Sequence, residues 1–169
     1  TKEAMTNDQN AQEYECSWVA NVPGAIFGKE LEAAMEEGRI SRVPHDPTVK
    51  VDTFWDLGVG DSTAIWFVQS VGRAIHFIDC YENRGEGLPH YVNVLSKKNY
   101  LYGDHFAPHD IEVRELGSGK SRREIAWDLG LNFRVVPKLP LEDGLHAAQM
   151  LIPRSWFDAE KCKFFFFLD

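Results

Sequence analysis

Residues 51–81 read VDTFWDLGVGDSTAIWFVQSVGRAIHFIDCY, three strand-like runs separated by two short turns. In the first run, residues 51–57, apolar or β-branched side chains at the odd positions alternate with two aspartates and a phenylalanine at the even ones. This period of two is typical of a β-strand with one buried face. Residues 63–69 and 74–81 are two further runs rich in β-branched and aromatic residues. Because short glycine-containing turns join the runs, the sequence predicts an antiparallel three-stranded meander.

The chain after this meander alternates between helix and strand patterns. Pro89 suits the first turn of a helix that runs to about Lys98, and residues 103–108 form a short fourth strand. Ser121 and Glu124 match a capping box, which predicts a helix that ends at Gly130 before a fifth strand over residues 132–136. Apolar residues at helical spacing predict one more helix between residues 141 and 152. The order β-β-β-α-β-α-β-α predicts an α/β protein with a ribonuclease H-like mixed five-stranded sheet flanked by helices, in which strands one and four are parallel neighbours.

Residues 1–46 differ in character from the rest of the chain. Their first part is polar and weakly patterned, a short helical pattern at residues 30–37 ends at Gly38, and Pro44 and Pro47 interrupt any continuation. We expect residues 1–46 to be a linker or the tail of a preceding domain and residues 47–169 to be the folded domain. A single domain agrees with the length of 169 residues.

The composition excludes several classes of protein. The longest apolar runs, residues 64–68 and 164–168, are far shorter than the ~20 residues that a membrane helix needs, and the start of the chain lacks a secretion-signal pattern. We therefore expect a soluble, non-secreted protein. A formal charge of −8 argues against a polybasic binder of nucleic acid or membranes, so any DNA contact must be local. The three cysteines are far apart and form no CxxC pair, which fits a reducing compartment.

Two aspartates end strands that should lie side by side. Asp56 ends strand one and Asp110 ends strand four, and the carboxyl ends of neighbouring parallel strands meet at one crevice. Two adjacent carboxylates are costly unless they share a cation, and Mg²⁺ or Mn²⁺ prefers carboxylate oxygens. Asp61 is a third candidate, as an outer-shell or second-metal ligand. Each of the three also fits a structural role, as a turn aspartate that bonds its own backbone.

The loop at residues 114–123 is the densest basic region of this acidic chain. Its GSGKS sequence at residues 117–121 fails the count for a phosphate-binding loop, because position 114 is arginine where that motif needs glycine. Nucleotide binding is therefore a distant third hypothesis. The loop is the best candidate for contacts with DNA phosphates, through four residues that could equally be solvated cations beside a capped helix: Arg114, Lys120, Arg122 and Arg123.

The remaining polar residues carry weaker signals. The histidines at positions 90, 105 and 146 lack metal-ligand spacing, and we interpret them as packing or surface residues. His109 is the exception, since it adjoins Asp110 and could orient a ligand or a water. Asp79 and Glu82 are interpreted as solvated edge residues.

Four stretches resemble the nuclease domain of the large terminase subunit of tailed bacteriophages: TFWDLG at 53–58, DSTAI at 61–65, PHD at 108–110 and ELGSGKS at 115–121. The similarity runs from about residue 12 to residue 162, and residues 12–16 and 38–40 resemble the stretch that joins that family's packaging ATPase to its nuclease. The resemblance implies an endonuclease that cuts concatemeric double-stranded viral DNA by two-metal phosphodiester hydrolysis. It assigns the metal-binding and catalytic roles to Asp56 and Asp110.

The resemblance also implies partners and a location: the packaging ATPase domain, the small terminase subunit and the portal, in the host cytoplasm. In that family a third metal-binding acid lies in a late stretch rich in histidine and aspartate. The chain has no such stretch before Asp169, so we expect it to be truncated at its C-terminal end. The alternative function is therefore a catalytically inactive DNA- or portal-docking module, or a prophage remnant.

Overall fold

The computed structural model describes residues 26–58, 62–114 and 116–163. It contains strands β1 (Ile40–Ser41), β2 (Val51–Leu57), β3 (Ser62–Val71), β4 (Ala74–Arg84), β5 (Tyr102–Ala107), β6 (Phe133–Val135) and β7 (Ser155–Asp158). The α-helices are α1 (Gly28–Glu36), α2 (Leu88–Lys97), α3 (Arg122–Asp128) and α4 (Leu141–Leu151), and two 3-10 helices span His109–Glu112 and Ile152–Arg154. The strands form one mixed sheet in the order β1-β7-β4-β3-β2-β5-β6.

The centre of the sheet follows the predicted topology. β2, β3 and β4 pair antiparallel as a meander, with Trp55 opposite Ile65. β2 also pairs with β5, and this pairing is parallel, with Phe54 opposite Phe106. The mixed α/β fold and the parallel neighbours β2 and β5 are thus confirmed, so the carboxyl ends of these two strands lie at the same edge of the sheet.

The described part of the sheet has seven strands, two more than the five predicted. β7 pairs parallel with β4, and β1 pairs parallel with β7. β1 has two residues and β7 has four, which is too few to show an alternation of buried and exposed side chains. They are fixed by contacts distant in sequence: the guanidinium Nη1 of buried Arg39 donates to the carbonyls of Ile152 (2.8 Å) and Ser155 (2.9 Å).

Residues 39–43 accordingly belong to the same folded unit as the sheet. Val43 lies in the hydrophobic core, and its backbone N–H donates to the carboxylate of buried Asp158 at 2.9 Å. The division of the chain at residue 46 stays a prediction about where a neighbouring domain is joined, but the packing of the sheet begins before that point.

The two faces of the sheet are packed differently. On one face, α2 and α3 cover a core built around Trp55, whose ring meets those of Tyr91 and Phe133 edge-on. On the other face, Phe54 stacks on Phe106 with 4.9 Å between ring centroids and is still 41% exposed. α4 contributes walls to a cavity of about 380 Å³ on this second face, but none of its own residues is fully buried.

Across the three described ranges, no helix is both long enough and apolar enough to cross a membrane.

Candidate metal and nucleic-acid site

Asp56 and Asp110 occupy the adjoining ends of β2 and β5. Asp56 is the sixth of the seven residues of β2 and is exposed, while its neighbours Trp55 and Leu57 point into the core. Asp110 lies in the 3-10 helix that follows β5, and buried Ile111 anchors this turn so that His109 and Asp110 are exposed. The alternation of the strand and the single anchored turn thus present both carboxylates to solvent at one edge of the sheet.

Neither carboxylate has a protein partner within the described ranges: the side chains of Asp56 and Asp110 make no hydrogen bond and no ion pair there. Such a pair fits a hard divalent cation, because Mg²⁺ is commonly held by one or two carboxylates, with waters and substrate phosphates completing its shell. A group of three or more potential metal-ligating side chains does not occur among the residues the structure describes. Asp61, the third predicted ligand, lies outside the described residues.

The loop predicted to contact DNA is held by its own ion pairs. Arg114 pairs with Glu124 at 3.3 Å, Lys120 with Asp128 at 2.6 Å and Arg123 with Glu112 at 2.6 Å. All six side chains are largely exposed, so each pair contributes only ~0–1 kcal/mol and can be exchanged for a phosphate contact. The loop is therefore a set of neutralised cations and not an open positive patch.

The start of α3 is a complete capping box, as predicted. Ser121 Oγ accepts a hydrogen bond from the backbone N–H of Glu124 at 3.1 Å, and the Glu124 carboxylate accepts one from the N–H of Ser121 at 2.7 Å. This backbone hydrogen bond from Ser121 lowers the pKa of Glu124. Because Ser121 and Glu124 bond each other reciprocally, the backbone of the first turn of α3 is held in place. Arg122 lies in this turn, so its backbone is held as well.

Arg122 differs from the other three cations in where its side chain reaches. It is half-buried, and its Nη1 donates to the carbonyl oxygen of Leu57 at 3.2 Å, at the last residue of β2. It also lines a cavity of about 320 Å³ together with Leu57, Gly58 and the first residues of α2. The structure thus brings Arg122 to the strand end that carries Asp56, while Arg114, Lys120 and Arg123 stay on the outer surface of the loop.

Two of the histidines are packing residues, as interpreted. His105 Nδ1 lies 2.6 Å from Thr53 Oγ1, which in turn accepts the indole N–H of Trp55 at 2.7 Å. Burial lowers the pKa of His105, although the nearby Asp52 and Asp104 carboxylates act in the opposite direction. His90 Nε2 lies 2.7 Å from the hydroxyl of Tyr81. His109 and His146 lie at positions that are not buried.

The interpretation of Asp79 as a solvated edge residue is wrong. Asp79 is only 7% exposed, because its carboxylate lies against the segment after α2 and accepts hydrogen bonds from Lys98 Nζ and from the Tyr100 hydroxyl at 2.9 Å. Both partners lie about 20 positions further along the chain, so the contact was invisible in the local pattern of residues 74–81.

Sequence reasoning also missed Lys138. This exposed lysine lines a groove of about 610 Å³ together with Phe54, Phe106 and His109, on the Asp110 side of the sheet edge. Within the described part of the chain it has no ion-pair partner. Lys138 lies in the loop between β6 and α4, and this loop carries no sequence motif. Because β5 and β6 are parallel neighbours, the segments that follow them, with His109 and Lys138, line the same groove.

Neither a protein-family model nor a curated protein sequence matches the chain. Solved structures do match. The large terminase of a thermophilic bacteriophage, in complex with ATP-γ-S, aligns with a TM-score of 0.59 at 9% identity, over 95% of this chain and 43% of that one. The P22 large terminase nuclease domain aligns with a TM-score of 0.56 at 15% identity, over 87% of this chain and 75% of that one.

The chain has a terminase-nuclease-like fold. Another structure of the thermophilic phage's large terminase gives a TM-score of 0.55 at 10% identity, over 75% of this chain and 33% of that one. The chain thus spans less than half the length of the thermophilic-phage large terminases that it matches. At these identities the likeness establishes the ribonuclease H-like fold alone, and the chemistry has to be argued from the residues at the sheet edge.

Proposed function

We propose that this domain is a divalent-metal-dependent endonuclease that cuts double-stranded viral DNA during packaging. The observation that carries the proposal is the position of Asp56 and Asp110, two exposed carboxylates without described partners at the adjoining ends of parallel strands. In a mixed sheet this edge is the usual place for a site. A terminase-nuclease-like fold supports DNA as the substrate.

Asp56 and Asp110 would hold Mg²⁺ or Mn²⁺, with Asp61 as an additional ligand or an outer-shell support. A bound cation supplies charge stabilisation at the phosphate and an activated nucleophile at neutral pH. The role of the two aspartates is to bind this cation and to fix its position at the end of the sheet. Their exposure lets a DNA backbone approach without displacing core side chains, and His109 next to Asp110 could hold a water.

DNA contacts would come from Arg114, Lys120, Arg122 and Arg123. Arg114, Lys120 and Arg123 exchange exposed carboxylate partners for phosphates, which costs little for surface pairs. With a formal charge of −8 on the chain, long-range attraction is absent, so binding should be weak, tolerant of sequence and sensitive to salt. The proposal includes three protein partners and a location. The partners are the packaging ATPase domain, the small terminase subunit and the portal, and the location is the host cytoplasm.

Nicking of supercoiled plasmid with Mn²⁺ tests the proposal. Asp56→Asn and Asp110→Asn should each lower the rate roughly 100- to 1,000-fold, because each removes a metal ligand that supports several kcal/mol of charge stabilisation. Asp143→Asn, an exposed aspartate in the first turn of α4, is the matched control and should leave the rate unchanged. Equal rates in all three variants would overturn the assignment of the site.

A catalytically inactive DNA- or portal-docking module is the second candidate. The observation in its favour is that the described residues contain no group of three or more potential metal ligands. It predicts that the wild-type chain binds duplex DNA with Ca²⁺ yet leaves plasmid intact with Mn²⁺ across the range around neutral pH. Binding without nicking would therefore favour the docking function over the nuclease.

A further inference from the structure

Arg122 is joined to the strand that carries Asp56. Its Nη1 donates to the carbonyl of Leu57, the residue directly after Asp56, at 3.2 Å. The side chain is half-buried, and the capping box of Ser121 and Glu124 fixes the backbone from which it extends. The backbone of Arg122 is fixed by the helix cap and its guanidinium by the bond to Leu57. The guanidinium therefore has a defined position, unlike the charged group of a freely moving surface side chain.

The space beside this guanidinium is a cavity of about 320 Å³. Its walls come from the end of β2, from Thr63 at the start of β3, and from the beginning of α2 at Gly87 and Leu88. These elements converge at the carboxyl edge of β2. The cavity therefore lies at the strand end that carries Asp56, on the Leu57 side of the sheet.

The other cations of the loop are held elsewhere. Arg114 and Lys120 pair with Glu124 and Asp128 on the exposed side of α3, and Arg123 pairs with Glu112 in the 3-10 helix. Glu124 and Asp128 belong to α3, whereas Glu112 follows Asp110 by two residues in the same 3-10 helix. Arg122 is thus the cation bonded to the end of β2, while Arg114 and Lys120 pair with acids of α3.

We propose that Arg122 binds a backbone phosphate of the DNA at the carboxylate pair, whereas Arg114 and Lys120 only strengthen overall affinity. The inference rests on the proposed function and deepens it by naming the residue that positions the strand. An arginine fork matches phosphate geometry with two parallel N–H donors, and the bond from Nη1 to Leu57 holds the guanidinium at the end of β2. Lysine offers a point charge without this directional match.

A double-mutant cycle in DNA binding tests the inference without requiring cleavage. Fluorescence anisotropy with duplex DNA and Ca²⁺ is measured for Arg122→Gln, Asp110→Asn and the double variant, with Lys120→Gln in place of Arg122→Gln as the control, because Lys120 pairs with Asp128 of α3. If Arg122 and the metal site hold one phosphate group, the Arg122 cycle should be non-additive, with a coupling of roughly 3- to 10-fold in affinity. The Lys120 cycle should be additive.

Nicking kinetics with Mn²⁺ provide the second readout. Arg122→Gln should lower kcat about 10- to 100-fold, because a misplaced phosphate reacts slowly even when bound. Lys120→Gln should change KM with kcat retained. Arg122→Lys should recover part of the lost kcat, and thermal unfolding of all variants separates these effects from loss of folding.

The outcomes distinguish the two proposals. Coupling in the Arg122 cycle with no nicking by the wild-type chain supports the phosphate contact and refutes the nuclease. Nicking by the wild-type chain with additive cycles and a wild-type kcat in folded Arg122→Gln keeps the nuclease and overturns the role of Arg122. Should Arg122→Gln fail to fold, Arg122→Lys decides: full kcat and no coupling with Asp110→Asn overturn the inference.

Discussion

Asp79 and Asp56 lie on strands of the same sheet and have opposite surroundings. Asp79 on β4 is buried, and it accepts hydrogen bonds from Lys98, Tyr100 and the backbone N–H of Cys80. Asp56 on β2 is exposed and has no partner within the described ranges. A buried carboxylate is tolerated only when it is paired, whereas an unpaired carboxylate at an exposed strand end remains free to bind a ligand. Partners and burial, and not residue type, therefore separate a structural aspartate from a candidate site.

The largest expected effect on stability is that of Asp79→Ala. It leaves Lys98 Nζ and the half-buried Tyr100 hydroxyl without their acceptor, and we expect a loss of about 3 kcal/mol, at the low end for a broken buried pair because a quarter of Lys98 is exposed. The measurement is urea unfolding at neutral pH. Asp56→Ala is the matched control and should change stability by less than ~0.5 kcal/mol. A loss in Asp56→Ala as large as that in Asp79→Ala would instead make Asp56 a structural residue.

The fold could be predicted where local patterns agree with the tertiary structure. The alternation in residues 51–57 is mirrored by the observed burial of β2, and the Ser121–Glu124 box marks the start of α3. β1 and β7 could not be predicted, because they are held by Arg39 and Asp158 through contacts that span most of the chain. The burial of Asp79 could not be predicted either, because its partners Lys98 and Tyr100 come from the segment after α2.

The second expected effect concerns Asp52, a third aspartate of the sheet. Its Oδ1 accepts the N–H of Asp104 at 2.7 Å, and a Cβ placed on Gly103 would clash with that oxygen. Gly103→Ala should therefore push Asp52 away and cost ~1–2 kcal/mol through overpacking and a lost hydrogen bond. Gly117→Ala is the matched control, because a Cβ there meets nothing within 4 Å. Equal unfolding midpoints for the two variants would show that Asp52 moves without cost.

A partly buried histidine and an exposed one differ in the same way as Asp79 and Asp56, and the difference predicts a pH dependence of the free energy of unfolding. Burial keeps the pKa of His105 below its usual value in the folded chain, so the unfolded chain takes up a proton first as the pH falls. The stability due to neutral His105 is complete above pH ~6.5 and is lost as the pH falls from there through the folded pKa. The slope cannot exceed about 1.4 kcal/mol per pH unit for one proton.

Unfolding free energies of His105→Gln and His109→Gln, measured from mildly acidic to mildly basic pH, check this effect. The wild-type slope should flatten in His105→Gln and persist in His109→Gln, since His109 is exposed. A wild-type slope that survives the loss of His105 would assign the titration to another group.

The candidate site could be predicted only in part. The parallel pairing of β2 and β5 was inferred from topology and is confirmed, so Asp56 and Asp110 lie at the same end of neighbouring strands. Their joint role in holding a cation stays a prediction. The ion pairs that neutralise the basic loop could not be foreseen, because Glu112 and Asp128 look like ordinary surface acids in the sequence and Glu124 signals only a capping box. The same holds for the bond between Arg122 and the Leu57 carbonyl, which joins residues 65 positions apart.

The smallest expected effect concerns Lys120 and Asp128, an exposed counterpart of the Lys98–Asp79 pair. Their atoms lie 2.6 Å apart, and the hydrogen bond to Asp128 raises the pKa of Lys120, but both side chains are more than half exposed. Water and salt screen such a pair, so Lys120→Gln should change the free energy of unfolding only slightly, and the change should vanish at high salt. Lys98→Met, which removes the same charge from a buried carboxylate, should cost ~2–3 kcal/mol and persist at high salt. Urea titrations of both variants at low and high NaCl concentration measure the difference. Equal losses would mean that burial does not set the strength of these pairs, and the contrast between Asp79 and Asp56 would lose its physical basis.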